Sequence, residues 1–476
     1  MHRQICVFIA IAAFVLGLAP IRAEASRAWS QALADVDQQT KAEADKIKGP
    51  SFSVAVVSRG HPTFFVTYGY ADIARTRKAD SHTIYEIGSI TKLFTATMLM
   101  QLRDAGKVSL DDRLSKYLPK FRMPSRFSGV AQPTLRQLAS HTSGLPRSLP
   151  VYSELEAPGG DEAHWLAAVN DAEASLPPFM QFKYSNLGFG LLGYALARTA
   201  ALPWPDYIGA KILSPLGMAE TYTARGKLPT TRVAAVGYVP GASDGWQAAA
   251  KPMTMNQLNE GAGALLSDST DMAKFLAWQL GSSDNGVLSA TSRREMRVPL
   301  WVNDDWKSGN GVAFMLMRQG DETLAGHGGG TNGFNSMLVF SDRHGVGVVV
   351  LSNGMTNAQG LAMRLMIPLI AAAKAETADN GRNLETPAPD TGAFAGLYEH
   401  DYGLVPPITV VTEGSRLVMH DDNWGTVRLR PTDRPGTFTA SGNATLEGEA
   451  ITFDNREGVM RLAIGHGSVV YLRQKR

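Results

Sequence analysis

Cysteine is almost absent from this chain. Cys6 is the only one in 476 residues, and it lies near the N-terminus at the start of an apolar run. A disulfide framework, a cysteine zinc site and a thiol nucleophile are therefore excluded. Cys6 stands at the start of the apolar run instead of its end, which does not suit a lipid-attachment site. Charge of one sign is also missing, since 46 basic residues balance 44 acidic ones with no long basic run. Neither nucleic acid nor an anionic membrane surface is implied as a partner, because both select clustered positive charge. Long hydrophobic runs are missing too. Ile5 to Ala19 carries no charge, but it falls short of the roughly 18–20 apolar residues that span a bilayer. Histidines show no H-E-x-x-H spacing, so no metal is implied. A P-loop is absent.

The N-terminus nevertheless has a pattern of its own. Met1 to Gln4 is polar and slightly basic, the run Ile5–Ala19 follows, Pro20 breaks it, and Ala23-Glu24-Ala25 places small residues where a signal peptidase reads them. Residues 1–25 are thus expected to be a cleavable secretory signal. The mature protein would be secreted or periplasmic, with no stable membrane span after cleavage. Hydrophobic residues at 44% and charged residues at 19% are ordinary for a folded globular protein.

Along the chain, Leu33, Val36 and Ile47 are spaced for a helix over 28–47, which Gly49-Pro50 stops. Ser51 to Ser58 and Thr63 to Tyr70 read as a strand pair around Arg59-Gly60-His61-Pro62. A strong helix is expected from Ser89 to about Ala105, closed by Gly106. Residues 110–300 read as helices and long loops. β-rich runs return at Val312–Arg318, Thr323–Gly326, Ser336–Phe340 and Val346–Leu351, with short connections that make neighbours antiparallel. A last helix is expected from about Asn357 to Lys374. Strands at both ends with helices between predict an α+β domain over 26–374, its antiparallel sheet built from both ends beside a helical subdomain. Residues 375–392 read as a linker. Residues 393–476 carry short β runs between Gly, Asp and Asn turns, which predicts a small all-β domain, barrel or sandwich.

Three motifs carry chemistry. In Ser89-Ile90-Thr91-Lys92, the only Ser-x-x-Lys of the chain, serine and lysine share one face at a helix start. A serine hydroxyl is a poor nucleophile until a neighbour takes its proton, and a buried lysine can take it because desolvation favours the neutral amine. Tyr184-Ser185-Asn186 is the only Tyr-x-Asn. Its phenol can shuttle a proton, and its amide can hold a substrate carbonyl or a lysine. His327-Gly328-Gly329-Gly330 offers a donor followed by glycines, where a substrate backbone can lie close along a strand edge. A backbone N–H there can join that of Ser89 as an oxyanion hole. Lys307-Ser308-Gly309 fits a Lys-x-Gly pattern but sits in a polar loop, so His327 is the preferred third element. His141 reads as a structural hydrogen-bonder.

The order and spacing of these motifs resemble the serine β-lactamase and penicillin-binding-protein family, with class C β-lactamases, D,D-carboxypeptidases, D-aminopeptidases and esterases as the nearest types. Ser140-His141-Thr142-Ser143-Gly144-Leu145-Pro146, Pro215-Leu216-Gly217-Met218 and Glu260-Gly261-Ala262-Gly263 add to the resemblance, which covers about residues 28–374. It implies a β-lactamase/transpeptidase-like fold. It further implies Ser89 as nucleophile, Lys92 and Tyr184 sharing base and acid duty, and Asn186 orienting the substrate amide. His327 would face the substrate's carboxylate side, and the amides of Ser89 and Gly330 would bind the oxyanion. No cofactor is implied. One departure counts: the family's β-lactamases carry Lys-Thr-Gly where this chain has His327-Gly328-Gly329. A neutral imidazole holds a carboxylate less firmly than lysine does. The expected activity is therefore a peptidase or esterase on D-amino-acid peptides or small esters, with short peptides or peptidoglycan fragments as partners. A class C-like β-lactamase and a non-catalytic peptidoglycan- or ligand-binding protein are the alternatives.

Overall fold

The computed structural model describes residues 27–149, 162–223, 228–241, 245–250, 259–281, 285–383, 391–400, 406–414, 416–421, 425–432, 434, 436–456, 459–465 and 469–473. The expected signal, residues 1–25, lies outside them. The chain divides between Glu376 and Thr377 into two units.

Two valine-rich runs from opposite ends of the first unit form the centre of its sheet. Phe52–Ser58 pairs antiparallel with Val346–Ser352, Val54 opposite Val350 and Val56 opposite Val348. All residues of both strands are buried. Such continuous burial requires cover on both faces, and the period of two divides the side chains between them. Val54, Val56, Val348 and Val350 pack under helix 27–47 and helix Ala358–Asn383, with Val36, Leu361, Leu365 and Leu369. Ala55, Val57, Val349 and Leu351 face the other core, which holds Phe94, Leu99, Phe189, Leu276 and Trp278. The sheet has eight strands, with Phe64–Tyr68 beyond Phe52–Ser58 on one side. On the other side Phe334–Ser341, Glu322–Thr331, Met315–Gln319, Ser308–Asn310 and Trp301–Val302 follow in order. The α+β class and the sheet built from both ends are as the sequence predicts.

Three differences have physical causes. The helix expected from Ser89 begins instead as a 3-10 turn, Gly88–Ile90, and becomes α-helical over Thr91–Asp104. The expected strand Thr323–Gly326 runs on through His327 and the glycines to Thr331, because pairing with Phe334–Ser341 satisfies its backbone where side chains give no strand signal. The last helix passes the expected end at Lys374 and continues to Asn383. Ala and Glu, which recur after Ile370, are good helix formers.

The second unit is a closed barrel of eight antiparallel strands in sequence order, from Gly396–His400 to Val469–Arg473, closed by the pair Tyr398 and Arg473. Alternate residues point inward, as in buried Val427, exposed Arg428 and buried Leu429. Tyr398, Phe438, Phe453 and Tyr471 fill the middle with aliphatic side chains. Eight strands give an interior just wide enough for that.

Candidate active site

The turn Gly88–Ile90 presents Ser89 at the start of a helix whose next turn carries Lys92. Lys92 is fully buried, a costly position for an ammonium unless every N–H finds a partner. Its Nζ lies 3.0 Å from Ser89 Oγ, 2.8 Å from Asn186 Oδ1 and 2.7 Å from the carbonyl of Ala262. Two of these partners only accept, whereas the serine hydroxyl donates or accepts. The geometry therefore suits both protonation states. An ammonium donates to all three. A neutral amine donates to Asn186 and Ala262 and turns its lone pair to the Ser89 hydroxyl.

The Ala262 carbonyl was not legible as a site group in advance, although Glu260-Gly261-Ala262-Gly263 marked the segment. This stretch is a short helix, Glu260–Gly263. A Cβ on Gly261 would stand 2.9 Å from Phe189 O and 3.1 Å from the Gly193 Cα. Glycine there lets the segment press against helix Asn186–Ala200 and deliver its carbonyl to Lys92.

Tyr184 and Asn186 flank the N-cap of that helix. Ser185 Oγ accepts from the Gly188 amide at 2.8 Å and donates to Pro146 O at 2.7 Å. The Asn186 amide side chain holds the lysine, the second of the two roles open to it from the sequence. The Tyr184 ring centroid lies 5.0 Å from Lys92 Nζ.

His141 holds this turn from the other loop. Its ring stacks on Tyr184 with centroids 4.3 Å apart, and its Nδ1 accepts from the Ser185 amide at 3.1 Å. Burial first, then the charges of Lys92, His327 and Arg147, hold its pKa well below the usual histidine value. Arg147, which the motif reading did not single out, places its guanidinium carbon 5.1 Å from the Tyr184 centroid. Its place directly after Gly144-Leu145-Pro146 was the available signal.

His327 lies with its ring centroid 6.2 Å from that of Tyr184, so the third motif joins the first two. It is not the accessible imidazole that the sequence suggested. It is 1% exposed, and its Nδ1 lies 2.6 Å from the Gly328 carbonyl. That contact fixes the proton on Nδ1. Burial, reinforced by the charge of Lys92, pushes its pKa down to about 3. The imidazole is neutral at pH 7 because its surroundings exclude charge, a stronger reason than its ordinary pKa.

The glycines after it serve packing first. An ideal Cβ on Gly329 would fall 2.0 Å from Ile87 O and 2.3 Å from Ser336 Oγ, and one on Gly88, where φ is +50°, would fall 2.8 Å from the Gly330 amide nitrogen. The turn bearing Ser89 is thus seated directly against the strand, with Ser336 Oγ donating to Ile87 O at 3.0 Å. Gly330 is exposed beside Ser89. Lys307 lies elsewhere. It adjoins Ser308–Asn310, which Met315–Gln319 separates from the His327 strand.

A family profile described as Beta-lactamase matches residues 36–372. "Protein flp" of Staphylococcus aureus (strain COL) is 27% identical over 324 residues, covering 67% of this chain and 63% of that protein. "Beta-lactamase-like protein 2" of Dictyostelium discoideum is 30% identical over 287 residues, covering 56% of this chain and 48% of that protein. The chain thus spans less than two thirds of these relatives' length. Among solved structures, the octameric penicillin-binding protein homologue from Pyrococcus abyssi aligns with a TM-score of 0.63 at 21% identity, over 92% of this chain and 99% of that one. A class C β-lactamase aligns at 0.60 and 21% identity over 71% and 96%. The D-alanine carboxypeptidase AmpC from Burkholderia cenocepacia aligns at 0.59 and 20% over 71% and 99%. These structural likenesses show the fold. With the profile spanning most of the chain, this protein belongs to the β-lactamase family.

Proposed function

We propose that this protein is a secreted or periplasmic serine hydrolase that forms an acyl-enzyme on Ser89 and acts as a peptidase or esterase on D-amino-acid peptides or small esters. The observation that carries this reading is the buried Lys92 Nζ 3.0 Å from Ser89 Oγ. Ser89 Oγ bonds to the substrate carbonyl carbon as its proton passes to Lys92. Tyr184 relays a proton to the leaving amine or alcohol, the carbonyl–leaving-group bond breaks, and water then hydrolyses the ester on Ser89. Asn186 holds Lys92 in line. The amides of Ser89 and Gly330 receive the developing oxyanion.

His327 supports the choice of substrate. Neutral and buried, it offers no cation to a β-lactam carboxylate, so uncharged esters and amides should compete well with β-lactams. The second reading, a class C-like β-lactamase, draws on the shared fold and on Ser89 and Lys92 themselves. A binder without turnover would have no use for a buried lysine against a serine. The test compares kcat/KM for p-nitrophenyl butyrate, a D-alanyl amide and nitrocefin. A slow acylating inhibitor should leave its mass on the Ser89 peptide, and Ser89→Ala should abolish turnover. Efficient nitrocefin hydrolysis with little ester turnover makes β-lactamase the correct reading. An adduct elsewhere ends the mechanism. N-terminal sequencing of the mature protein, expected to begin after Ala25, tests export.

A further inference from the structure

We infer that Thr95 and Trp204 are positioning residues for Lys92. A buried hydrogen-bond chain runs from the Trp204 indole through the Thr95 hydroxyl to the Gly261 carbonyl. It holds the segment whose next carbonyl, that of Ala262, meets the lysine. The chain thereby aims the lysine lone pair at Ser89 and sets the pH above which that lone pair is free. The inference rests on the proposed acylation of Ser89 and adds to it the groups that keep the base in place.

Thr95 stands one turn after Lys92 on helix Thr91–Asp104 and is fully buried. A threonine inside a helix commonly bonds back to the carbonyl four residues before it. Thr97 does so, donating to Leu93 O at 2.8 Å. Thr95 instead donates to Gly261 O at 2.8 Å, a residue far away in sequence. Trp204 supplies the cause. Its indole N–H, a donor only, meets Thr95 Oγ1 at 3.0 Å, which occupies an oxygen lone pair and leaves the hydroxyl proton for Gly261. Trp204 is buried as well, and it comes close because Gly193 has no side chain. A Cβ there would stand 3.3 Å from Trp204 Cδ1 and 3.0 Å from the Gly261 Cα. The same helix takes two further groups of the segment. Lys92 Nζ donates to Ala262 O at 2.7 Å, and Thr91 Oγ1 accepts from the Leu265 amide at 3.2 Å. Gly261 and Ala262 are neighbours in the chain, so a bond that fixes the first carbonyl restricts the second. Ala262 O matters because it and Asn186 Oδ1 orient the amine. A neutral lysine that donates to both has its lone pair left for the Ser89 hydroxyl, and without Ala262 it rotates away. An ammonium gains more from such an acceptor than a neutral amine does, so weakening the bond also favours the free base.

The rival role is packing alone, with the two side chains satisfying each other and doing nothing for Lys92. Thr95→Val and Trp204→Phe each break the chain, and Thr95→Ser keeps it. Thr97→Val is the control, since it removes an equally buried hydroxyl that bonds within its own helix. The experiment measures kcat, KM and the acid limb of kcat/KM against pH on p-nitrophenyl butyrate. Thr95→Val and Trp204→Phe should lower kcat on the order of tenfold with KM little changed. Both should move the acid limb to lower pH, by about half a unit. The double variant should lose little more than Thr95→Val alone, because one chain is broken twice. Thr95→Ser and Thr97→Val should both keep the wild-type limb. If Trp204→Phe does not fold, Thr95→Val against Thr95→Ser carries the comparison. A limb that stays in place when the chain is broken, or that moves as far in Thr97→Val, overturns the inference and leaves the chain as packing. Titration without turnover gives an independent arm. In protein carrying isotopically labelled lysine, the Lys92 Cε resonance, assigned by its loss in Lys92→Ala, should titrate at lower pH in Thr95→Val than in wild type. Equal midpoints also overturn the inference. If wild type hydrolyses no ester at all, the acylation reading fails alone, and this titration still decides whether the chain acts on Lys92.

Discussion

Of the three glycines after His327, the middle one should be irreplaceable and its neighbours should not. An alanine Cβ at Gly329 would meet Ile87 O at 2.0 Å and Ser336 Oγ at 2.3 Å, whereas at Gly328 the nearest atoms are 3.7 Å away and at Gly330 3.9 Å. Restoring ordinary contact at position 329 takes a shift of more than ~1 Å. The backbone that must yield is Ile87, two residues before Ser89. The strand is held by its pairing with Phe334–Ser341, so the turn moves and carries Ser89 away from Lys92. Overpacking of this kind costs about 1–3 kcal/mol, a fall in Tm of roughly 2–6 °C for a domain of this size. Misplacing the nucleophile by that distance costs on the order of 10²-fold in rate. Gly328→Ala and Gly330→Ala should melt within about 1 °C of wild type. Thermal unfolding of the three variants, with kcat/KM on p-nitrophenyl butyrate for Gly329→Ala, makes the test. Wild-type melting and activity in Gly329→Ala, or equal damage from all three alanines, would refute the claim that the glycine seats the nucleophile's turn.

Lys92→Ala and Tyr184→Phe should each remove much of the rate, and the double variant should lose less than the sum because one proton-transfer unit is being broken twice; additive losses in kcat/KM would separate their roles. Burial of His327 should appear as acid sensitivity. The folded-state pKa is about 3 against ~6.5 unfolded, so its stabilising effect is complete above about pH 6.5 and is lost towards pH 3, by at most about 1.4 kcal/mol per pH unit. His327→Gln should flatten the fall in Tm between pH 6.5 and 4, and an unchanged slope counts against a neutral buried imidazole. A chain ended at Asn383 should retain hydrolysis of a small ester, since the first unit has its own two cores and the barrel a separate one. A folded but inactive truncation would show that the barrel completes the site.

The sequence by itself determined the elements whose signals are local. The runs Phe52–Ser58 and Val346–Ser352 are rich in valine, so they read as strands from their own residues. Ser89 and Lys92 sit one helical turn apart whatever surrounds them. The Tyr184 motif opens a helix because Ser185 is a good N-cap. Tertiary structure decided the rest. No local pattern shows that the Ala262 carbonyl reaches Lys92 across 170 residues, since a backbone carbonyl has no sequence signature. Likewise, His327 could be placed near the site but not given its charge state, because desolvation depends on atoms contributed from distant parts of the chain. Arg147 was one loop arginine among many until the fold laid it over Tyr184. Charge, protonation and close backbone approach are set by what surrounds a residue, and those surroundings exist only once the chain has closed on itself.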